Sequence, residues 1–97
     1  MIVHLVLFKF KGGVVRDDTR VAAAVEALWR LPMQIVGIRG WEHGFNVTGD
    51  AQAWDYGLRA MFDDEAALHA YLEHPAHVPV VAQWEEISEL AFCDFRV

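Results

Sequence analysis

The sequence predicts an α+β domain in which a four-stranded antiparallel sheet carries helices on one face. Three observations carry that reading. Stretches rich in β-branched and aromatic residues stand at both ends and in the middle of the chain, segments with helical spacing of apolar residues lie between them, and 97 residues leave room for one hydrophobic core only. Hydrophobic residues make up 55% of the chain and charged residues 23%, which excludes a disordered, linker-like protein. A single domain over residues 1–97 follows, without repeats or low-complexity runs.

Residues 1–10 (MIVHLVLFKF) read as the first strand. Alternation places His4, Val6, Phe8 and Phe10 on one face and Val3, Leu5, Leu7 and Lys9 on the other, so a central strand apolar on both faces is expected. After Gly12-Gly13, the Asp17-Asp18-Thr19 run supplies N-cap candidates for a helix expected to end near Leu31, with Val21, Val25, Leu28 and Trp29 as its apolar stripe and Pro32 as its stop. Residues 35–47, with three glycines among Ile, Val, Trp and Phe, read as a bent or bulged second strand. Residues 54–62 (WDYGLRAMF) form the third, with Tyr56 and Leu58 on one face and Arg59 and Met61 on the other. Asp63-Asp64 opens a second helix whose Ala67, Leu68, Tyr71 and Leu72 face the core, and His74-Pro75 breaks it. A short helix with Val80, Val81, Trp84 and Ile87 at helical spacing precedes a last strand over residues 90–97.

The resulting order, βαββα(α)β, is that of a ferredoxin-like protomer: two split βαβ units that leave one sheet face bare. That face would hold Leu5, Leu7 and Met61, too much apolar surface for water to meet, so a second copy is expected to pack its sheet there and make a barrel-centred homodimer. Arg59 falls on the same face and is expected to pair with an acidic residue of the second strand such as Glu42.

Charge and cysteine content narrow the partners. With 14 acidic and 8 basic residues the net charge is -6 and no basic cluster exists, which speaks against nucleic acid and anionic lipid. The apolar start is closed by Lys9 and Lys11 and has no basic segment before it, so neither a signal peptide nor a membrane span is expected. The single Cys93 cannot form an internal disulfide and reads as a buried structural thiol in a cytoplasmic protein. His43 and His69 have no partner at metal-ligand spacing, Pro75 interrupts the helix that would align His74 and His77 on one ion with no carboxylate pair to complete the site, and no glycine-rich phosphate loop is present; neither a metal nor another cofactor is expected. His74, at a helix end, reads as a charge suited to the helix dipole. Trp41, Trp54 and Trp84, spread over three elements, read as core or interface residues.

The opening MIVHLVLFKFK together with YLEHPAHVPVV from residue 71 resembles the stress-responsive dimeric α/β-barrel (Dabb) family, over nearly the whole chain. The resemblance implies a dimeric ferredoxin-like protomer. In a plant polyketide cyclase of that family, olivetolic acid cyclase, a Tyr/His pair in a pocket between helices and sheet performs cofactor-free acid/base chemistry, and the matching positions here are Tyr71 and His77. A first-strand pocket histidine of the cyclase matches His4. Tyr56 stands where the cyclase has a further histidine, and neither Val25 nor Glu26 supplies its first-helix tyrosine, so the cyclase's substrate is not carried over.

The residues themselves allow the same chemistry. An imidazole at position 77 titrates near neutral pH and can take a proton from carbon beside a carbonyl, while a phenol at 71 can hold the oxygen as charge develops. His4, Tyr56, Phe8, Leu58 and Val81 are expected to line the site, around a small hydrophobic ligand bearing a carbonyl or phenol. Two alternatives stand beside a cyclase- or isomerase-like enzyme. One is a non-catalytic, stress-related binding or structural dimer, in which His77 would satisfy backbone groups; the other is a monooxygenase-like dimeric barrel protein. An open cavity reaching His77 and Tyr71 is the feature expected to separate chemistry from scaffold.

Overall fold

Seven elements follow in the order β1 (Ile2–Phe10), α1 (Thr19–Gln34), β2 (Gly40–Phe45), β3 (Tyr56–Phe62), α2 (Glu65–Leu72), α3 (His77–Ile87) and β4 (Ser88–Arg96), in a computed structural model that describes residues 1–97. The strands form one antiparallel sheet in the order β2-β3-β1-β4, the ferredoxin-like arrangement with an added helix before the last strand. No helix is long and apolar enough to cross a membrane.

β1 occupies an interior position because it is apolar on both faces. On the helix-covered side His4, Val6 and Phe8 join Tyr56, Leu58, Ala60 and Phe62 of β3, all buried. On the other side Leu5 and Leu7 stay 36% and 49% exposed, so a single chain leaves that face uncovered. Arg59 there donates to Glu42, its cross-strand neighbour on β2, at 2.8 Å, the acidic second-strand partner expected for it.

α1 departs from the expected pattern in two ways. Its buried stripe is Val21, Ala24, Leu28 and Leu31, with Trp29 53% exposed at the margin. The stripe is thus rotated towards Ala24 and Leu31 and away from Trp29, and the backbone of α1 makes its close approach to α3. The second departure is Pro32, which does not stop the helix but lies inside it, two residues before its end at Gln34. A proline at 32 removes the N–H that the Leu28 carbonyl would normally accept. The indole Nε1–H of Trp41 on β2 donates to that carbonyl instead, at 3.0 Å, so the vacancy becomes a tether between α1 and the sheet edge. The helix then closes with Ile35 N–H on the Leu31 carbonyl, and the chain turns through Gly37 at φ +104°, a backbone conformation that suits glycine.

The second strand is accordingly shorter than residues 35–47, and its ladder from Gly40↔Met61 to Phe45↔Tyr56 runs without a bulge. α2 starts where Asp64 accepts the Ala67 N–H at 2.8 Å, and it buries Leu68 and Tyr71. α3 begins at His77 and buries His77, Trp84 and Ile87. β4 begins at Ser88, immediately after α3. Cys93 is exposed, not buried: β4 is an edge strand, and Cys93 pairs with Leu5, on the uncovered face.

Candidate functional site

Between α3 and the β1–β4 half of the sheet lies a cavity of about 540 Å³, within the range of small-molecule sites. Most of its wall is aliphatic or aromatic, including Val6, Leu28, Val80 and Trp84. His4, Phe8, Leu58, Tyr71, His77 and Val81 all reach it. Tyr56 does not. It packs deeper along β3, between Phe8, Phe45 and Trp84, hydrogen-bonds His43 Nδ1 at 2.6 Å, and touches a shallower hollow at the β2–β3 end. Desolvation raises its phenol to about 12.

The polar end of the cavity is assembled from three elements. β1 contributes His4, only 4% exposed. The β1–β4 register sets Asp94 directly across from His4, and His4 Nδ1 donates to Asp94 Oδ1. Since a carboxylate only accepts, Nδ1 carries the proton and the ring is held in one orientation, leaving Nε2 as its second polar edge. α2 contributes Tyr71 from its last turn, 2% exposed, with its ring centroid 5.8 Å from that of His4. α3 contributes His77 from its first turn, 4.2 Å from Tyr71 ring to ring.

The α2–α3 corner fixes His77. Helix α2 ends with carbonyls that lack helical partners, and His77 Nδ1–H donates to that of Leu72 at 3.1 Å. A carbonyl can only accept, so the proton of the neutral ring is at Nδ1 and Nε2 keeps its lone pair. His74 supports the corner differently from the expected cation. Its Nδ1 accepts the Ala76 N–H at 3.0 Å, a role open only to an unprotonated nitrogen.

Burial sets the protonation states. Desolvation lowers the pKa of His77, against the opposing pull of the Leu72 carbonyl, and the nearby His4 and His74 lower it further. His77 is therefore neutral at neutral pH, the form that can accept a proton. Desolvation drives the Tyr71 phenol well above its ordinary value, so it keeps its proton and acts as a donor. A neutral imidazole and a protonated phenol side by side in an apolar cavity are the pair needed to take a proton from carbon while holding the adjacent oxygen. No group of three or more His, Cys, Asp or Glu stands together as a metal site.

The family model for the Stress Responsive A/B Barrel Domain matches residues 2–97. The chain belongs to the Dabb family. This Dabb chain is 45% identical over 96 residues to an uncharacterized protein of Streptomyces coelicolor, covering 99% of both chains. A dimeric protein of unknown function and ferredoxin-like fold from Bacteroides fragilis superposes on it with a TM-score of 0.86 at 29% identity, covering 99% of this chain and 95% of that one. A dimeric ferredoxin-like protein of unknown function from Thermobifida fusca gives 0.87 at 26% identity, covering 99% and 90%.

Several residues at the Dabb chain's cavity escaped sequence reasoning, among them Phe92 and Glu85 in its wall and Asp94 behind His4. Asp94 is set opposite His4 by the β1–β4 register, which alternation along either strand does not give. Phe92, two residues earlier on β4, lines the same cavity. Glu85, at the mouth, carries no local sequence signal, because helical spacing alone marks it as a solvated residue.

Proposed function

We propose that this chain works as a homodimer that binds a small, mainly apolar carbonyl or phenolic compound between α3 and the sheet and moves a proton on it without a cofactor. His77 Nε2 takes the proton from carbon next to the carbonyl. The C–H electron pair flows into the new C=C bond and onto oxygen, and Tyr71 donates to that oxygen. Protonation at a different carbon gives an isomer; attack of the carbanion on a second carbonyl gives a ring. His4, held by Asp94, orients the oxygen-bearing end. The observation that carries this reading is the free Nε2 of His77 beside Tyr71 in an open cavity. The dimer draws support from the half-exposed Leu5 and Leu7 and from the dimeric structural relatives.

Deuterium exchange tests it directly. Incubated in heavy water with a panel of aryl methyl ketones and β-diketones, the wild-type protein should accelerate loss of the α-proton NMR signal over buffer. His77→Gln should reduce the acceleration by about 10²- to 10⁴-fold, the usual contribution of a positioned base. An unchanged rate in His77→Gln sinks the assignment.

One observation favours a second reading, a binding dimer without turnover. His77 is already committed to the Leu72 carbonyl and closes the α2–α3 corner, a structural task by itself. Saturable binding of the panel with exchange no faster than buffer would establish that reading instead.

A further inference from the structure

We infer that the cavity selects uncharged ligands and refuses any compound that must bring a carboxylate or phosphate group inside it; this rests on the ligand-binding reading above and adds its substrate class. Of the 16 residues that line the cavity, only His4, His77 and Glu85 are not hydrophobic, and none is Lys or Arg. His4 is backed by Asp94, so an anion placed against His4 meets a carboxylate behind it. Glu85 adds a second negative charge at the mouth.

The cations of the chain are spent elsewhere. Each arginine already has a partner: Arg20 holds Asp18, Arg30 Glu26, Arg39 Asp63, Arg59 Glu42 and Arg96 Glu65, and Arg16 donates to the Asn46 carbonyl while lying over Phe45. Lys11 donates to the Glu85 backbone carbonyl at 2.6 Å, outside the lining. Lys9 alternates onto the opposite sheet face, opposite Glu89.

The backbone gives no substitute. α3 opens onto the cavity through His77 and Val78, yet both N–H groups donate to the His74 carbonyl, at 2.9 and 3.2 Å. Pro79, next in the first turn, has no N–H to offer. The cradle that a helix N-terminus commonly presents to an anion is therefore filled in. A charge entering this apolar space would lose its hydration and find only neutral donors, the Tyr71 hydroxyl, the Trp84 indole N–H and the imidazoles, with no cation to balance it. A neutral carbonyl or phenol needs only one or two hydrogen bonds, which Tyr71 and the two imidazoles supply.

The test uses two probes of one shape, 2-acetylnaphthalene and 2-naphthoate, titrated calorimetrically into the full chain near neutral pH. The ketone should bind at least about 30-fold more tightly than the carboxylate. Glu85→Lys, on an exposed position of α3, should raise the ratio of naphthoate to ketone affinity at least about tenfold. Equal or tighter naphthoate binding by the wild type overturns the selectivity and leaves the ligand-binding reading standing. A Glu85→Lys variant in which that ratio does not rise also overturns it. If neither probe binds, the selectivity and the ligand-binding reading fall together.

Discussion

Leu7→Asp is the sharpest perturbation of the proposed dimer. Leu7 is 49% exposed on the uncovered face of β1. Covering it with a second sheet would complete a burial worth about 1.5–3 kcal/mol for a whole leucine side chain, so roughly half of that is gained per copy. A two-fold interface uses the same residue twice. The substitution therefore forfeits about 1.5–3 kcal/mol, or roughly 10- to 100-fold in dimer Kd, before any cost of desolvating two carboxylates is added. The isolated subunit should keep its fold, because the side chain meets solvent there. Sedimentation equilibrium on wild type and variant, with far-UV circular dichroism as the folding control, measures both quantities. A Leu7→Asp protein that dimerises as tightly as wild type would refute the argument, and so would a wild type that sediments as single subunits at micromolar concentration.

Three further outcomes follow from the geometry. Trp41→Phe should cost about 1–3 kcal/mol in urea denaturation, because it strips the Leu28 carbonyl of its partner; in a Pro32→Ala background, where residue 32 regains its N–H, the same change should cost at least about 1 kcal/mol less, and equal costs would sever the link between the two residues. Asp94→Leu should destabilise the fold by about 1–3 kcal/mol by leaving His4 Nδ1–H buried without an acceptor, whereas Asp94→Asn, which retains an acceptor oxygen, should cost less; the order of the two denaturation midpoints decides. His77 and His43 both have folded-state pKa values below their ordinary 6.5, so the unfolded chain takes up protons first, and stability should decline as pH falls below 6.5 towards the folded values. The double variant His77→Gln/His43→Gln should flatten that decline, and a stability profile equally steep without either imidazole would contradict it.

The sheet was legible in the sequence because alternation is a strong, local signal. β1 and β3 were assigned to the right faces, and alternation put Arg59 on the uncovered face, while its pairing with Glu42 is set by the β2–β3 register. α1 was harder. A proline after an apolar stripe normally ends a helix, and here it does not, since the Leu28 carbonyl it orphans finds an indole 13 residues further on. That contact is tertiary, and no window of helical spacing contains it. The same holds for the stripe itself: Val25 and Trp29 satisfy the period as well as Ala24 does, and only the tertiary packing of α1, whose backbone comes closest to α3, selects among them. Cys93 was misplaced because cysteine is more often buried than not, whereas its burial here depends on what covers an edge strand.

The site was half legible for a comparable reason. Tyr71 and His77 sit either side of one helix break, close in sequence, so their meeting at a cavity wall was within reach of a linear reading. Tyr56 was grouped with them because it shares the inner face of the sheet with His4, but face alone does not fix position along a strand. In the β1–β3 register His4 stands opposite Ala60 and Phe8 opposite Tyr56, so Tyr56 lies two inward-facing positions further along β1 than His4. Phe8, directly opposite, still lines the cavity, so what takes Tyr56 out is its place on the β2 side, where it hydrogen-bonds His43 and packs on Phe45. The β1–β4 ladder that opposes Asp94 to His4 also decides that this imidazole is oriented by a carboxylate. The orientation of the cavity's first-strand histidine was thus written in a pairing between residues 90 positions apart, beyond any local pattern.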